Sequence, residues 1–311
     1  MPAERLHEDT RHRVTLFPGT GEGRRAVVSF EHGHDRRMCG FAPPSCPRFA
    51  QQLGIDALVV QTARRDWFVS PGSAALAQAL QAATAGYAEV IAIGFSMGGY
   101  AALLYSAACH ARRVLAVSPQ YCIDPAVAPF DPGRQAKFAA IGMAMPLPES
   151  RGDTGIGGLL LYDPTIAADC GHAARIRAGF PHLTLVALPH GGHPATGVIA
   201  SAGGVGQLAR MVIADRIDPA AVRQVHRKAR RSSPAYRLRL AGAGLARHPD
   251  RARQALHALA RGTDPRIAFE AALLLLEQGD DAAHELMSAV LDTEPDLPPG
   301  LLRRLERALG A

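Results

Sequence analysis

Short apolar runs bounded by turn formers recur along the first two thirds of the chain, as buried strands do. They are Val14–Phe17, Ala26–Phe30, Ala57–Gln61, Val90–Ile93, Arg113–Val117, Gly158–Tyr162 and Leu183–Leu188. From Ala57 onward these runs alternate with segments whose apolar residues fall three and four apart, notably Ser73–Ala85 and Ala167–Ala178. Alternation of that kind predicts a mainly parallel sheet with helices on both faces. Residues 1–12 are polar and are expected to form a frayed tail. Near Asp215 the pattern changes. Beyond it the chain reads as helices of about a dozen residues (Tyr236–Arg247, Arg251–Arg261, Arg266–Gln278, Ala282–Leu291). Breakers such as Ser233-Pro234, Thr263-Asp264-Pro265 and Pro295–Gly300 separate them. The expected organisation is an α/β domain over 1–214 and a small all-α domain over 215–311, built of helical hairpins.

Composition changes this picture little. The 311 residues are 48% hydrophobic and 20% charged, ordinary for a folded protein. The formal charge of +6 is carried almost wholly by arginine, Lys137 and Lys228 being the only lysines. The arginines are scattered among acids, so no nucleic-acid partner is expected. Only Arg223–Arg231 forms a basic run, read as a helix face or linker. Five cysteines without a C-x-x-C pair fit reduced thiols, a polar N-terminus lacks a signal core, and no apolar stretch is long enough to span a membrane. A cytoplasmic location is expected.

The chemistry centres on Glu89–Ala108. A strand (Val90–Ile93) leads into Gly94-Phe95-Ser96-Met97-Gly98-Gly99 and then into an Ala/Leu-rich helix. Glycines two residues either side of Ser96 let strand and helix approach closely around a strained serine. The hydroxyl then stands at a helix N-terminus beside the Met97 amide. Strand, G-x-S-x-G and helix resemble the nucleophile elbow of the α/β-hydrolases. The resemblance covers roughly residues 13–213 and includes Gly192-His193, similar to the family's glycine-histidine loop, and the strand–Asp unit at Asp163.

The resemblance implies a serine, acid, histidine order. Ser96 is then the nucleophile, Asp163 the acid and His193 the base. Asp169 is an alternate acid; Asp163 is preferred because it emerges directly from its strand. His190 is an alternate base, and His193 is preferred for the glycine turn before it. The oxyanion amides would come from Met97 and from the loop after the second strand, around Phe30 and Glu31 to His32. Trp67, beyond a strand's carboxyl end, is a candidate for lining the substrate cleft. His32 and His34 lack a matching third ligand, so no metal is expected, and no organic cofactor is required. The implied function is a serine hydrolase of a carboxylic ester or thioester. Acyl transfer by the same residues is one alternative. A hydrolase fold whose tetratricopeptide-like helical tail binds a protein partner is another.

Overall fold

A computed structural model of the chain describes residues 2–21, 24–33, 39–293 and 297–310. His34, the opening of the expected Arg36–Pro47 loop, and Pro295 and Asp296 of the last breaker lie outside the described residues. The chain divides into two compact units, Met1–Arg227 and Lys228–Ala311. The boundary expected after residue 214 falls before this one.

The first unit is built on a sheet that has eight strands among the described residues. They are β1 (Glu4–Glu8), β2 (His12–Phe17), β3 (Arg25–Phe30), β4 (Asp56–Thr62), β5 (Glu89–Phe95), β6 (Ala111–Val117), β7 (Gly157–Tyr162) and β8 (Leu183–Ala187). Their order is β1-β2-β4-β3-β5-β6-β7-β8. β2 runs antiparallel to β1 and β4, and every other pair is parallel. This is the mainly parallel sheet of the α/β-hydrolase fold.

Strand β1 corrects the expectation of a frayed tail. Its sequence, ERLHE, has no apolar alternation because it is an outer strand with little burial. It is held by backbone pairing with β2 and by Arg13 of β2, whose Nε lies 2.6 Å from Glu8.

Strand order reverses at β3, which pairs with β4 on one side and β5 on the other. Crevices beyond the carboxyl ends of strands at such a point are where open α/β sheets bind ligands. The strand interiors (Val27, Val28, Leu58, Ile91, Ala92, Leu115, Leu160) are fully or almost fully buried. Helices α1 (Arg48–Leu53), α2 (Ser73–Thr84), α3 (Met97–Leu104) and α4 (Gln135–Ile141) follow in the connections. After them come α5 (Ala167–Gly179), α6 (Gly197–Ser201), α7 (Val205–Ile213) and α8 (Pro219–Ala229). The basic run Arg223–Arg231 thus begins on α8. That helix is anchored in the first unit by His226, whose Nε2 lies 3.0 Å from the Pro189 carbonyl.

In the second unit α9 (Pro234–Gly244), α10 (Pro249–Ala260), α11 (Pro265–Glu277), α12 (Ala283–Leu291) and α13 (Pro299–Ala308) form an all-α run. Prolines open α9, α10, α11 and α13, where a missing N–H costs nothing. Ser233 and Asp264 cap α9 and α11 with their side chains. Helices α9 to α12 pack each on the next about Leu256, Phe269, Leu273 and Met287, and α13 packs on α11. No cysteine is in a disulfide. No helix among the described residues is long and apolar enough to cross a membrane.

Candidate active site

Ser96 sits between β5 and α3 with φ 52° and ψ −118°, a conformation most residues avoid. The neighbouring glycines make it possible. A Cβ on Gly94 would come within 1.9 Å of the Gly98 carbonyl oxygen, and one on Gly98 within 2.5 Å of the Phe30 carbonyl oxygen. Strand, turn and helix are therefore in backbone contact, and the serine is driven up from the sheet onto the first turn of α3.

His193 comes from the loop after β8. Its Nε2 is 2.8 Å from Ser96 Oγ, and its Nδ1 is 2.9 Å from Asp169 Oδ1. Asp169 is 4% exposed and lies in the first turn of α5, where the helix dipole favours a carboxylate. Its second oxygen accepts from Ser118 Oγ at 2.7 Å. Ser118 Oγ in turn accepts from the Ala195 amide at 3.0 Å. One hydroxyl thus joins the end of β6, the acid and the histidine loop.

The expectation that Asp163 stands on the histidine is corrected. Asp163 is fully buried, and its Oδ1 accepts from the amides of Thr165 and His190 and from the Thr165 hydroxyl, at 2.9, 3.1 and 2.7 Å. Oδ2 accepts from the Gly192 amide at 2.8 Å. These bonds tie the end of β7 to the loop that carries His193. Asp163 holds that loop; Asp169 meets the ring. The chain bends from β7 into α5 so tightly that a first-turn helical residue projects over the strand ends. His190 gives its amide to Asp163, and it is His193 that reaches Ser96.

The oxyanion expectations divide. Met97 is the first residue of α3, where helix amides have no intrahelical partner. The Glu31 amide, by contrast, donates to the Val60 carbonyl at 2.9 Å, which removes it as an oxyanion donor. The Glu31 carboxylate accepts from the Thr62 amide at 3.3 Å, toward the end of β4. Phe30 is the last ladder residue of β3, paired with Val60 and Gly94, and its carbonyl faces Gly98. Trp67 is fully buried, so it offers a ligand no surface and the cleft-lining expectation is corrected as well.

Gln120, which sequence reasoning missed, is what Trp67 touches. It is fully buried, and its Oε1 accepts from Trp67 Nε1 at 3.0 Å. The indole N–H can only donate, so this bond fixes which end of the amide is which. Gln120 Nε2 then faces Ser96 Oγ at 3.1 Å and the Ser118 carbonyl at 3.3 Å. Arg134, on a short 3-10 turn ahead of α4, brings Nη2 to 3.3 Å from His193 Nε2. Its Nε pairs with Asp131 at 2.9 Å, and Asp131 also meets His172 Nε2 at 3.0 Å. Because Arg134 and Gln120 can only present N–H toward His193 Nε2, that nitrogen is the acceptor and Nδ1 carries the proton toward Asp169. No signal in the sequence singled out Gln120 or Arg134 beyond their place after a strand. Among the described residues no group of three or more His, Cys, Asp or Glu side chains is arranged to hold a metal.

No protein-family model matches the chain, and no curated protein does. Among solved structures, it is similar to Est1E from Butyrivibrio proteoclasticus at 13% identity over 68% of this chain and 99% of that one, with a TM-score of 0.43. The capsule O-acetyltransferase of Neisseria meningitidis serogroup A matches at 12% identity, over 64% and 93% of the two chains, with a TM-score of 0.43. An esterase of Pyrobaculum calidifontis matches at 15% identity, over 70% and 87%, with a TM-score of 0.45.

Proposed function

We propose that the protein is a serine hydrolase of carboxylic esters or thioesters, with Ser96 as nucleophile, His193 as base and Asp169 as the acid. The observation that carries this reading is the line Asp169 Oδ1–His193 Nδ1–His193 Nε2–Ser96 Oγ, with hydrogen-bond distances of 2.9 and 2.8 Å, on a strained serine at a helix N-terminus.

The neutral imidazole, protonated on Nδ1, takes the serine proton at Nε2 as Oγ attacks the acyl carbon. Asp169 stabilises the imidazolium so formed and keeps the ring in register. Charge develops on the carbonyl oxygen beside the N-terminus of α3, where the Met97 amide donates to it. Gln120 holds Oγ in line with His193 and is itself held by Trp67. The imidazolium returns its proton to the departing alcohol or thiol, and water enters by the same route reversed to release the acid. The acyl substrate is a small molecule, and no metal takes part in these steps.

The test is labelling with a neutral fluorophosphonate and turnover on a panel of esters and thioesters. Ser96→Ala is expected to abolish labelling and to lower turnover by roughly 10³-fold or more. A folded Ser96→Ala protein that keeps full activity would falsify the assignment.

A further inference from the structure

We propose that the site selects an anionic substrate, an ester or thioester bearing a carboxylate or phosphate group, and that Arg134, Lys137 and Arg65 form the subsite for that group. The inference rests on the serine-hydrolase reading of the same site and adds the charge of what enters it.

Arg134 is the first reason. Its Nε lies at ion-pair distance, 2.9 Å, from Asp131 Oδ2, while Nη2 is presented at the nitrogen of His193 that faces the nucleophile. A fixed cation there opposes the imidazolium that the reaction must form, so the arrangement is unfavourable for a neutral substrate. An anionic group on the substrate, bound at Nη2, removes the conflict and gains a charge-assisted hydrogen bond.

Two further cations lie near enough to feel the charge of Arg134. Arg65 lies over the Trp67 ring, with Cζ 5.7 Å from its centroid, and its Nε occupies space within 2.7 Å of where a Gly33 Cβ would project. It therefore covers the loop after β3 and the indole that supports Gln120. Lys137 lies on α4, one helical turn beyond Arg134, so the two side chains share a face. Burial, and then the charges of Arg65 and Arg134, pull the Lys137 ammonium down to about 8. Arg65 is displaced downward by burial and by Arg134. The charges of Arg65 and Arg134 thus act on Lys137, and that of Arg134 acts on Arg65. The carboxylates that face them are Asp131, shared between Arg134 and His172, and Asp169, whose charge is directed at the His193 ring.

The test is calorimetric binding of three uncleaved analogues to the full chain. 4-Acetamidobenzoate and 4-acetamidophenyl phosphate carry the anion, and 4-acetamidobenzamide is the neutral control. The unaltered protein is expected to bind at least one anion about tenfold or more tightly than the amide, less so at high salt. The tighter of the two identifies the group as carboxylate or phosphate. Arg134→Gln should remove most of that preference, and Lys137→Gln, at a half-buried surface position, should reduce it if Arg134→Gln does not fold. Equal binding of anion and amide, binding of neither, or a preference that survives both substitutions overturns the subsite. Labelling of Ser96 by a neutral fluorophosphonate reports separately on the hydrolase reading. Labelling without anion preference sinks the subsite alone; absent labelling sinks the reading beneath it.

Discussion

Trp67 Nε1 donates to Gln120 Oε1 at 3.0 Å, and this bond makes Nε2 the nearer end of the Gln120 amide to Ser96 Oγ, at 3.1 Å against 3.4 Å for Oε1. Both residues are fully buried, so neither exchanges its partner for water. Trp67→Phe removes the donor and lets the amide turn its oxygen toward Oγ. The expected result is a fall in kcat of roughly tenfold with KM nearly unchanged, about the value of one misplaced hydrogen bond. Gln120→Glu puts a carboxylate 3.5 Å or so from His193 Nε2, where Gln120 Nε2 now stands. It should move the acidic limb of the pH–rate profile upward, because a negative charge favours imidazolium. Unaltered kcat in both variants would show that the pair is packing alone.

Asp169 and Asp163 are separable by asking for activity and stability together. Asp169→Asn keeps shape but offers the wrong charge to Nδ1, and kcat should fall by about 10⁴-fold with little loss of stability. Asp163→Asn turns an amide N–H against the backbone donors of Thr165, His190 or Gly192 and should lower the urea midpoint. Activity would decline with it because the loop carrying His193 loosens. A stable, inactive Asp163→Asn protein beside an active Asp169→Asn protein reverses the assignment.

Helix α8 sets where the first unit can be cut. A chain ending at Arg216 lacks His226 and its contact with the Pro189 carbonyl, just ahead of the His193 loop. A chain ending at Ser232 retains it. The longer truncate should fold and hydrolyse small esters, whereas the shorter should melt earlier and turn over more slowly. Equal melting of the two would mean that α8 adds nothing to the first unit.

Two buried groups give opposite pH dependences. Burial raises the Asp66 carboxyl to about 6, against the hydrogen bonds from Thr62 and Phe68. The folded state therefore holds the extra proton between 3.8 and 6, and this group's contribution to stability is lost as pH rises through 6. Burial lowers the His12 imidazole to about 4, so the unfolded chain holds the extra proton between 4 and 6.5, and stability is lost as pH falls through that window. Between pH 7 and 5 each moves stability by about 1–2 kcal/mol, in opposite directions. Relative to the unaltered protein, Asp66→Asn should lose stability on going from pH 7 to 5, and His12→Leu should gain it, read as urea midpoints. Parallel profiles in all three proteins would refute the assignment of these two groups.

The strands that form the sheet interior were legible because two-sided burial demands uninterrupted apolar runs, and the tight strand–turn–helix around Ser96 was legible because it demands glycines. His193 followed from the glycine turn before it. Which aspartate meets the His193 ring was not legible, since Asp163 and Asp169 both lie beyond β7 and only the bend into α5 chooses between them. Gln120 and Arg134 left no trace, because their work depends on contacts with Trp67, Ser96, Asp131 and His193 that are distant along the chain. Glu31 was misread for a related reason: a loop amide is available to a ligand only if no strand claims it, and Val60 does.

The polar strand β1 insulates the sheet. Beneath it lies HRVTLF, an apolar-rich segment whose backbone would form a bare edge if β1 were absent. Such an edge is a template for pairing with another chain, and Val14, Leu16 and Phe17 would make the pairing adhesive. The charges of Glu4, Arg5 and Glu8 make the outer strand a poor partner for a second sheet. Deletion of residues 1–9 should therefore leave the site chemistry in place yet turn a dispersed protein into one that self-associates through β2.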